Sequence, residues 1–209
     1  MPAIDLSAFA STPLVRDPYD HVIVRGFLKP DAIGAIEADY PEIGRAGSFP
    51  LGELSFGPAF AAMVEELESP PVARAFGEKF GVDLAGRPTM VTARGRCQAK
   101  DGRIHTDSET KIITVLIYMN SSWEQPGGRL RVLRSADDLE DYAAEVPPDA
   151  GTLLAFRRSA HSYHGHRRFT GPRRVIQLNW VTDDEVVRRE QSRHRLSAWV
   201  KKLVPFAGA

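Results

Sequence analysis

Read from its N-terminus, the chain is built of short apolar runs separated by turn residues, and the period of those runs changes part-way along. His21-Val22-Ile23-Val24-Arg25 is a β-like run closed by Gly26. Pro30-Asp31 then opens a helix carried by Ala35, Ile36 and Ala38, which must stop before Pro41. Ala59 to Glu68 predicts a second helix, broken by Pro70-Pro71, and Val72 to Phe80 a third, with Gly81 as its cap. From Thr89 the pattern becomes strand-like. Met90 to Arg94, Lys111 to Met119, Leu130 to Leu133, Gly151 to Phe156 and Arg174 to Val181 are the predicted strands, with Gln125-Pro126-Gly127-Gly128 as a turn. Ser135 offers an N-cap for a short helix over Asp138 to Ala144, ended by Pro147-Pro148. Beyond Asp183, the spacing of Leu196, Trp199, Val200 and Leu203 predicts an amphipathic C-terminal helix packed on the domain. Helices first and strands afterwards, without βαβ alternation, indicate an α+β or mainly-β, barrel-like fold. No repeat or long linker divides the chain, so one domain is expected over 1–209, with helical support to about 88 and a strand core over about 89–182.

Composition narrows the functions more than the fold. Lys+Arg and Asp+Glu both total 27, so the formal net charge is zero, which argues against a strongly basic nucleic-acid binder. Cys97 is the only cysteine, so neither an internal disulfide nor a cysteine zinc site is available. Met1 to Ala10 has no signal-peptide pattern, and the longest apolar run, Ile112 to Met119, is too short for a bilayer. A cytoplasmic, reducing compartment without membrane attachment is the expectation. Oligomeric state is not readable.

Candidate chemistry lies in the strand-rich half. His105-Thr106-Asp107 places an imidazole and a carboxylate two residues apart, which on an extended segment aims both at one face. Two imidazoles and one carboxylate on one side of a metal, with open positions opposite, form the facial triad of non-heme Fe(II) oxygenases. The second imidazole has three candidates, His161, His164 and His166. Gly165 beside His164 permits close backbone approach, and His166 shares strand parity with His164 as a supporting group or substrate contact. Arg173 and Arg174 must face opposite sides of their strand. Arg174 shares parity with Ile176 and Leu178 and is expected to point inward, whereas Arg173 shares parity with Gln177 and Asn179 and is expected outside. An inward arginine needs an anion, because a buried unpaired guanidinium is very costly.

His105-Thr106-Asp107, Ile117-Tyr118-Met119-Asn120, Gly127-Gly128-Arg129-Leu130, Ser162-Tyr163-His164-Gly165-His166 and Arg174 to Trp180, in that order and spacing, resemble the 2-oxoglutarate/Fe(II)-dependent dioxygenases. Within them the chain looks most like the prolyl-4-hydroxylase-like branch. The resemblance spans about Met90 to Val181 and implies a double-stranded β-helix (jelly-roll) barrel with helices packed on one sheet. It implies His105, Asp107 and His164 as Fe(II) ligands and Arg174 as partner of the far carboxylate of 2-oxoglutarate. Tyr118 falls where a tyrosine bonds that same carboxylate, and Leu130 where an apolar side chain walls the co-substrate. The implied reaction consumes O2 and 2-oxoglutarate, releases succinate and CO2, and hydroxylates a C–H bond of a peptidyl (prolyl-like) or small-molecule substrate, with ascorbate as a candidate reductant.

Arg94, Arg96, Lys100, Arg103, Arg157, Arg158, Arg167 and Arg168 flank these motifs, either as a basic rim for an anionic substrate or as ordinary solvated charge. Competing functions are a non-catalytic metal or 2-oxo-acid sensor on the same fold, a cupin-like metalloenzyme that needs no such arginine, and a nucleic-acid demethylase. The last is disfavoured by the neutral charge and the lack of an aromatic-basic surface.

Overall fold

The computed structural model describes residues 2–188. Four α-helices precede the main run of strands. α1 (Leu6–Ser11), absent from the sequence expectation, forms because Asp5 caps it, its carboxylate accepting from the backbone N–H of Ser7 and Ala8. α2 (Pro30–Ala38), α3 (Pro58–Leu67) and α4 (Pro70–Phe80) each start at a proline, whose missing N–H costs nothing in a first turn. Pro70 therefore separates α3 from α4 and also opens α4. Gly81 ends α4 at φ 64°, a left-handed conformation that glycine adopts without strain.

The strands are β1 (His21–Val24), β2 (Phe49–Pro50), β3 (Thr89–Cys97), β4 (Lys111–Tyr118), β5 (Leu130–Leu133), β6 (Tyr142–Val146), β7 (Leu153–Arg157), β8 (His164–His166) and β9 (Gly171–Val181). They form two antiparallel sheets, one of six strands in the order β1-β7-β4-β9-β3-β2 and one of three in the order β6-β5-β8. The short helix expected over Asp138 to Ala144 is replaced by β6. Ser135 Oγ does accept from the N–H of Asp137 and Asp138, as a cap would. The turn does not propagate, because Leu130 pairs with Val146 and Arg131 with Glu145 across the β5–β6 hairpin. Tertiary pairing there overrides a local helix signal.

Each face of the six-stranded sheet has its own core. One packs on the helices through Ile113, Val115, Ile117, Ile176, Leu178 and Trp180. Phe76 of α4 lies 4.2 Å from the ring of Phe9 and 5.1 Å from Trp180, joining helices to sheet. The other face meets the small sheet through Tyr118, Leu154, Phe156 and Val175 against Leu130, Val132 and Val146. Large side chains buried this way each stabilise by about 1.5–3 kcal/mol relative to exposure. The predicted C-terminal helix falls mostly on residues 189–209, so Leu196, Trp199, Val200 and Leu203 lie outside the described residues, although 184–188 are helical. Among the described residues, no helix is long and apolar enough to cross a membrane.

Candidate active site

Between the sheets opens a cavity of about 240 Å³. His105, Asp107 and His164 line it, and one potential ligand atom from each lies within 4.8 Å of the others. The extended segment expected at His105 is reduced to one bridging residue. His105 makes a single antiparallel bridge to His164, with N–H···O distances of 3.1 and 3.0 Å, which puts the two residues directly opposite with ring centroids 4.3 Å apart. Asp107 follows outside any strand, and its backbone carbonyl accepts from Arg158 Nε at 3.2 Å. Gly165 provides the close approach anticipated at that position, but to protein: a Cβ there would sit 2.9 Å from Gly102 O and 3.3 Å from Ile104 Cα, against the segment that carries His105.

Protonation is set by the backbone. His105 Nδ1 contacts Arg103 O at 2.9 Å, and His164 Nδ1 contacts Ser162 O at 3.0 Å. A carbonyl only accepts, so each Nδ1 carries a proton, and in the neutral ring it is Nε2 that offers a lone pair. Burial lowers the His164 pKa to about 4, holding the imidazole neutral as metal binding requires. Burial alone would raise the Asp107 pKa. Lys111, His164 and the hydrogen bonds from Lys111 and Thr114 outweigh it, so the carboxylate stays ionised below the usual range. Two imidazoles and one carboxylate suit a divalent cation of the Fe(II) type.

The arginine is where structure and strand-parity expectation part. Arg174 lies on the helix-side face, exposed, its guanidinium 5.3 Å from the centroid of the Tyr40 ring and away from the cavity. Arg173 is buried at 5% exposure and lines the cavity with Val175 and Gln177. Ile176 and Leu178 do point inward, but into the helix-covered core, so the arginine that shares their parity faces away from the cavity. Arg173 Nε donates to Gly128 O at 2.7 Å, and no carboxylate among the described residues pairs with its guanidinium. The Arg173 guanidinium sits 5.3 Å over the ring of Tyr118, whose fully buried hydroxyl has no hydrogen-bond partner. An unpaired buried guanidinium beside an orphaned hydroxyl is a ready anion site. Leu130 lines the same cavity.

Of the other histidines, His166 is buried in the cavity wall, its Nδ1 donating to Arg167 O at 2.8 Å and its pKa lowered to about 4 by burial and then by Arg173. His161 is exposed and outside the cavity. Of the basic rim, Arg94 lines the cavity, paired with Asp101 at 2.8 Å, while Arg167 is held by Glu140 at 2.6 Å. Gln177 and Asn179, expected outside, share the buried parity of Arg173, and polar residues at that parity in an otherwise apolar strand were their signal. Lys111 and Thr114, three residues apart, carried no such signal.

Residues 95–182 match the family model described as the 2OG-Fe(II) oxygenase superfamily. No curated protein matches the chain at the sequence level. Among solved structures the chain is similar to a prolyl-4-hydroxylase from Pseudomonas putida, at 17% identity over 85% of this chain and 97% of that one, with a TM-score of 0.55. It is similar to the viral collagen prolyl hydroxylase of Paramecium bursaria Chlorella virus-1, solved with 2OG, at 14% identity over 80% and 99% of the two chains, TM-score 0.55. A third likeness is an oxidoreductase of the 2OG-Fe(II) oxygenase family from Burkholderia pseudomallei, at 16% identity over 84% and 89%, TM-score 0.51. At such identities these structures speak for the fold.

Proposed function

We propose that the chain, whose residues 95–182 match the model of the 2OG-Fe(II) oxygenase superfamily, acts as such an oxygenase and hydroxylates a C–H bond of a peptidyl or small-molecule substrate while converting 2-oxoglutarate to succinate. The two sheets are then the halves of a jelly-roll, with His105, Asp107 and His164 as the iron ligands at its mouth. Bound there, iron with 2-oxoglutarate and O2 supplies the oxidising chemistry, yielding succinate, CO2 and a hydroxylated product.

The protein's part is positioning, and the observation that carries the reading is the cavity that joins the triad to Arg173, whose guanidinium lies over the ring of Tyr118. His105 and His164 present Nε2 lone pairs because their Nδ1 protons are tied to the backbone. Arg173 and the Tyr118 hydroxyl receive the far carboxylate of the co-substrate, replacing the role expected of Arg174. Leu116, Leu130 and Val175 wall the chain between, keeping water from it. At about 240 Å³ the cavity falls below the ~300–1,000 Å³ usual for whole ligands. Beside the co-substrate it admits a side chain or a small molecule, and Ser48, Thr92, Arg94 and Asp101 meet what enters.

The test is succinate release by purified protein given Fe(II), 2-oxoglutarate and O2, first alone and then with proline-containing peptides and small polar molecules. Metal-dependent succinate formation that a substrate stimulates supports the reading. Absence of any succinate, with or without these additions, sinks it.

A further inference from the structure

Both oxygens of Asp107 are already engaged by protein groups: Oδ1 accepts from Lys111 Nζ at 2.8 Å and Oδ2 from Thr114 Oγ1 at 2.5 Å. The two partners differ in kind. Thr114 Oγ1 also contacts the Asn179 amide at 3.0 Å, and that amide contacts the Gln177 amide at 3.2 Å. A hydroxyl has one proton, and an ionised carboxylate can only accept, so the proton goes to Asp107. As placed, the Asn179 carbonyl oxygen faces both Thr114 Oγ1 and Gln177 Nε2; with both amides turned over, Asn179 donates to Thr114 and to the Gln177 carbonyl, which leaves the Thr114 proton for Asp107. The result is a directed chain from Asn179 through Thr114 to Asp107, with Gln177 at its cavity end. Thr114 and Asn179 are each only 2% exposed, so Thr114 is held in place by a buried network and has little freedom to move away from Asp107. Lys111 is different: its side chain keeps 18% exposure, lines the cavity, and has a flexible stem that lets a freed ammonium reach water.

We propose that Lys111 is an exchangeable counter-cation that holds Asp107 until a divalent metal takes its place, and that Thr114, backed by Asn179, is the positioning residue that keeps the carboxylate aimed throughout. This rests on reading His105, Asp107 and His164 as metal ligands. Substitutions at the two partners then act in opposite directions. Losing Thr114 frees the carboxylate to rotate and weakens metal binding. Losing Lys111 removes both a competitor for Asp107 and a positive charge beside the incoming metal, and tightens it.

The experiment is calorimetric titration of metal-free protein with Mn(II) in the absence of 2-oxoglutarate, with melting temperature read in parallel. Thr114→Val is expected to weaken Mn(II) binding about 10–100-fold, as loss of a group orienting a metal ligand typically does, and Thr114→Ser to restore it. Lys111→Met is expected to bind roughly tenfold tighter and to show a larger metal-induced rise in melting temperature. Wild-type affinity in Thr114→Val, or unchanged or weaker binding in Lys111→Met, overturns the proposal. Should Thr114→Val not fold by circular dichroism, Lys111→Met decides. Asp107→Ala separates the layers: if it binds Mn(II) like wild type, the ligand assignment itself falls. If it does not bind while the other variants are unmoved, only the roles of Lys111 and Thr114 fall.

Discussion

The two faces of β9 both carry buried side chains and do opposite things with that burial. Toward the helices, Ile176, Leu178 and Trp180 are at most 1% exposed and pack dry against apolar neighbours. Toward the small sheet, Arg173 and Asn179 are buried at 5% and 2% exposure, and with Gln177 they border a cavity or join hydrogen bonds that reach Asp107. Dry burial stabilises through lost water contact and close packing. The wet face gives up part of that gain and in exchange holds groups at fixed positions. Polarity at period two on a central strand therefore marks the functional side, and the apolar parity marks the structural one.

Substitutions on the two faces should separate activity from stability. His164→Ala is expected to abolish Fe(II)-dependent succinate release while the circular dichroism spectrum stays that of the folded protein; residual turnover near wild type would show that the triad is misassigned. Arg173→Ala should raise the KM for 2-oxoglutarate about 10–100-fold, the scale of a lost charge-assisted hydrogen bond, with kcat changed less. On the helix face, Leu178→Ala should cost about 2–5 kcal/mol in chemical denaturation without moving that KM. A shift in KM larger than the loss of stability would erase the distinction between the faces.

The wet face also carries a pH dependence. The folded-state pKa values of His164 and His166 are lowered to about 4, from an ordinary 6.5, chiefly by burial. Between those values the unfolded chain binds more protons than the folded one, so stability rises with pH there. The metal-free protein should hold its full stability above about 6.5 and lose on the order of a few kcal/mol as pH falls toward 4. A flat urea midpoint across that window would mean the two imidazoles are hydrated. The smallest effect belongs to Arg174→Ala. It removes an exposed guanidinium over Tyr40, worth about 0.5–1 kcal/mol, and should leave the KM for 2-oxoglutarate unmoved. If Arg174→Ala raised that KM and Arg173→Ala did not, the assignment would reverse.

Much of this was legible in the chain. The helices from Pro30, Ala59 and Val72, the strand from Lys111 and the strand ending at Val181 follow from periodicity, proline placement and the Gly81 cap. Their signals are local, so tertiary context only adjusted the ends. Strand β6 was not legible, because a good N-cap at Ser135 outweighs, on local evidence, a pairing to β5 that exists only in three dimensions. Likewise α1 depends on one capping aspartate in a segment with little periodicity.

By itself the sequence determined the candidate ligand types, their order, and the fact that two adjacent arginines must diverge. Alternation of side chains in a strand forces the last, and the spacing of His105 and Asp107 brings them to one side. Only the tertiary structure decided which side of β9 faces the cavity, because parity defines two faces without saying which one the helices cover. It also decided which histidine stands opposite His105, since that pairing joins segments far apart in the chain. And it alone revealed Lys111 and Thr114 on the oxygens of Asp107, a contact made by folding a loop back onto a strand.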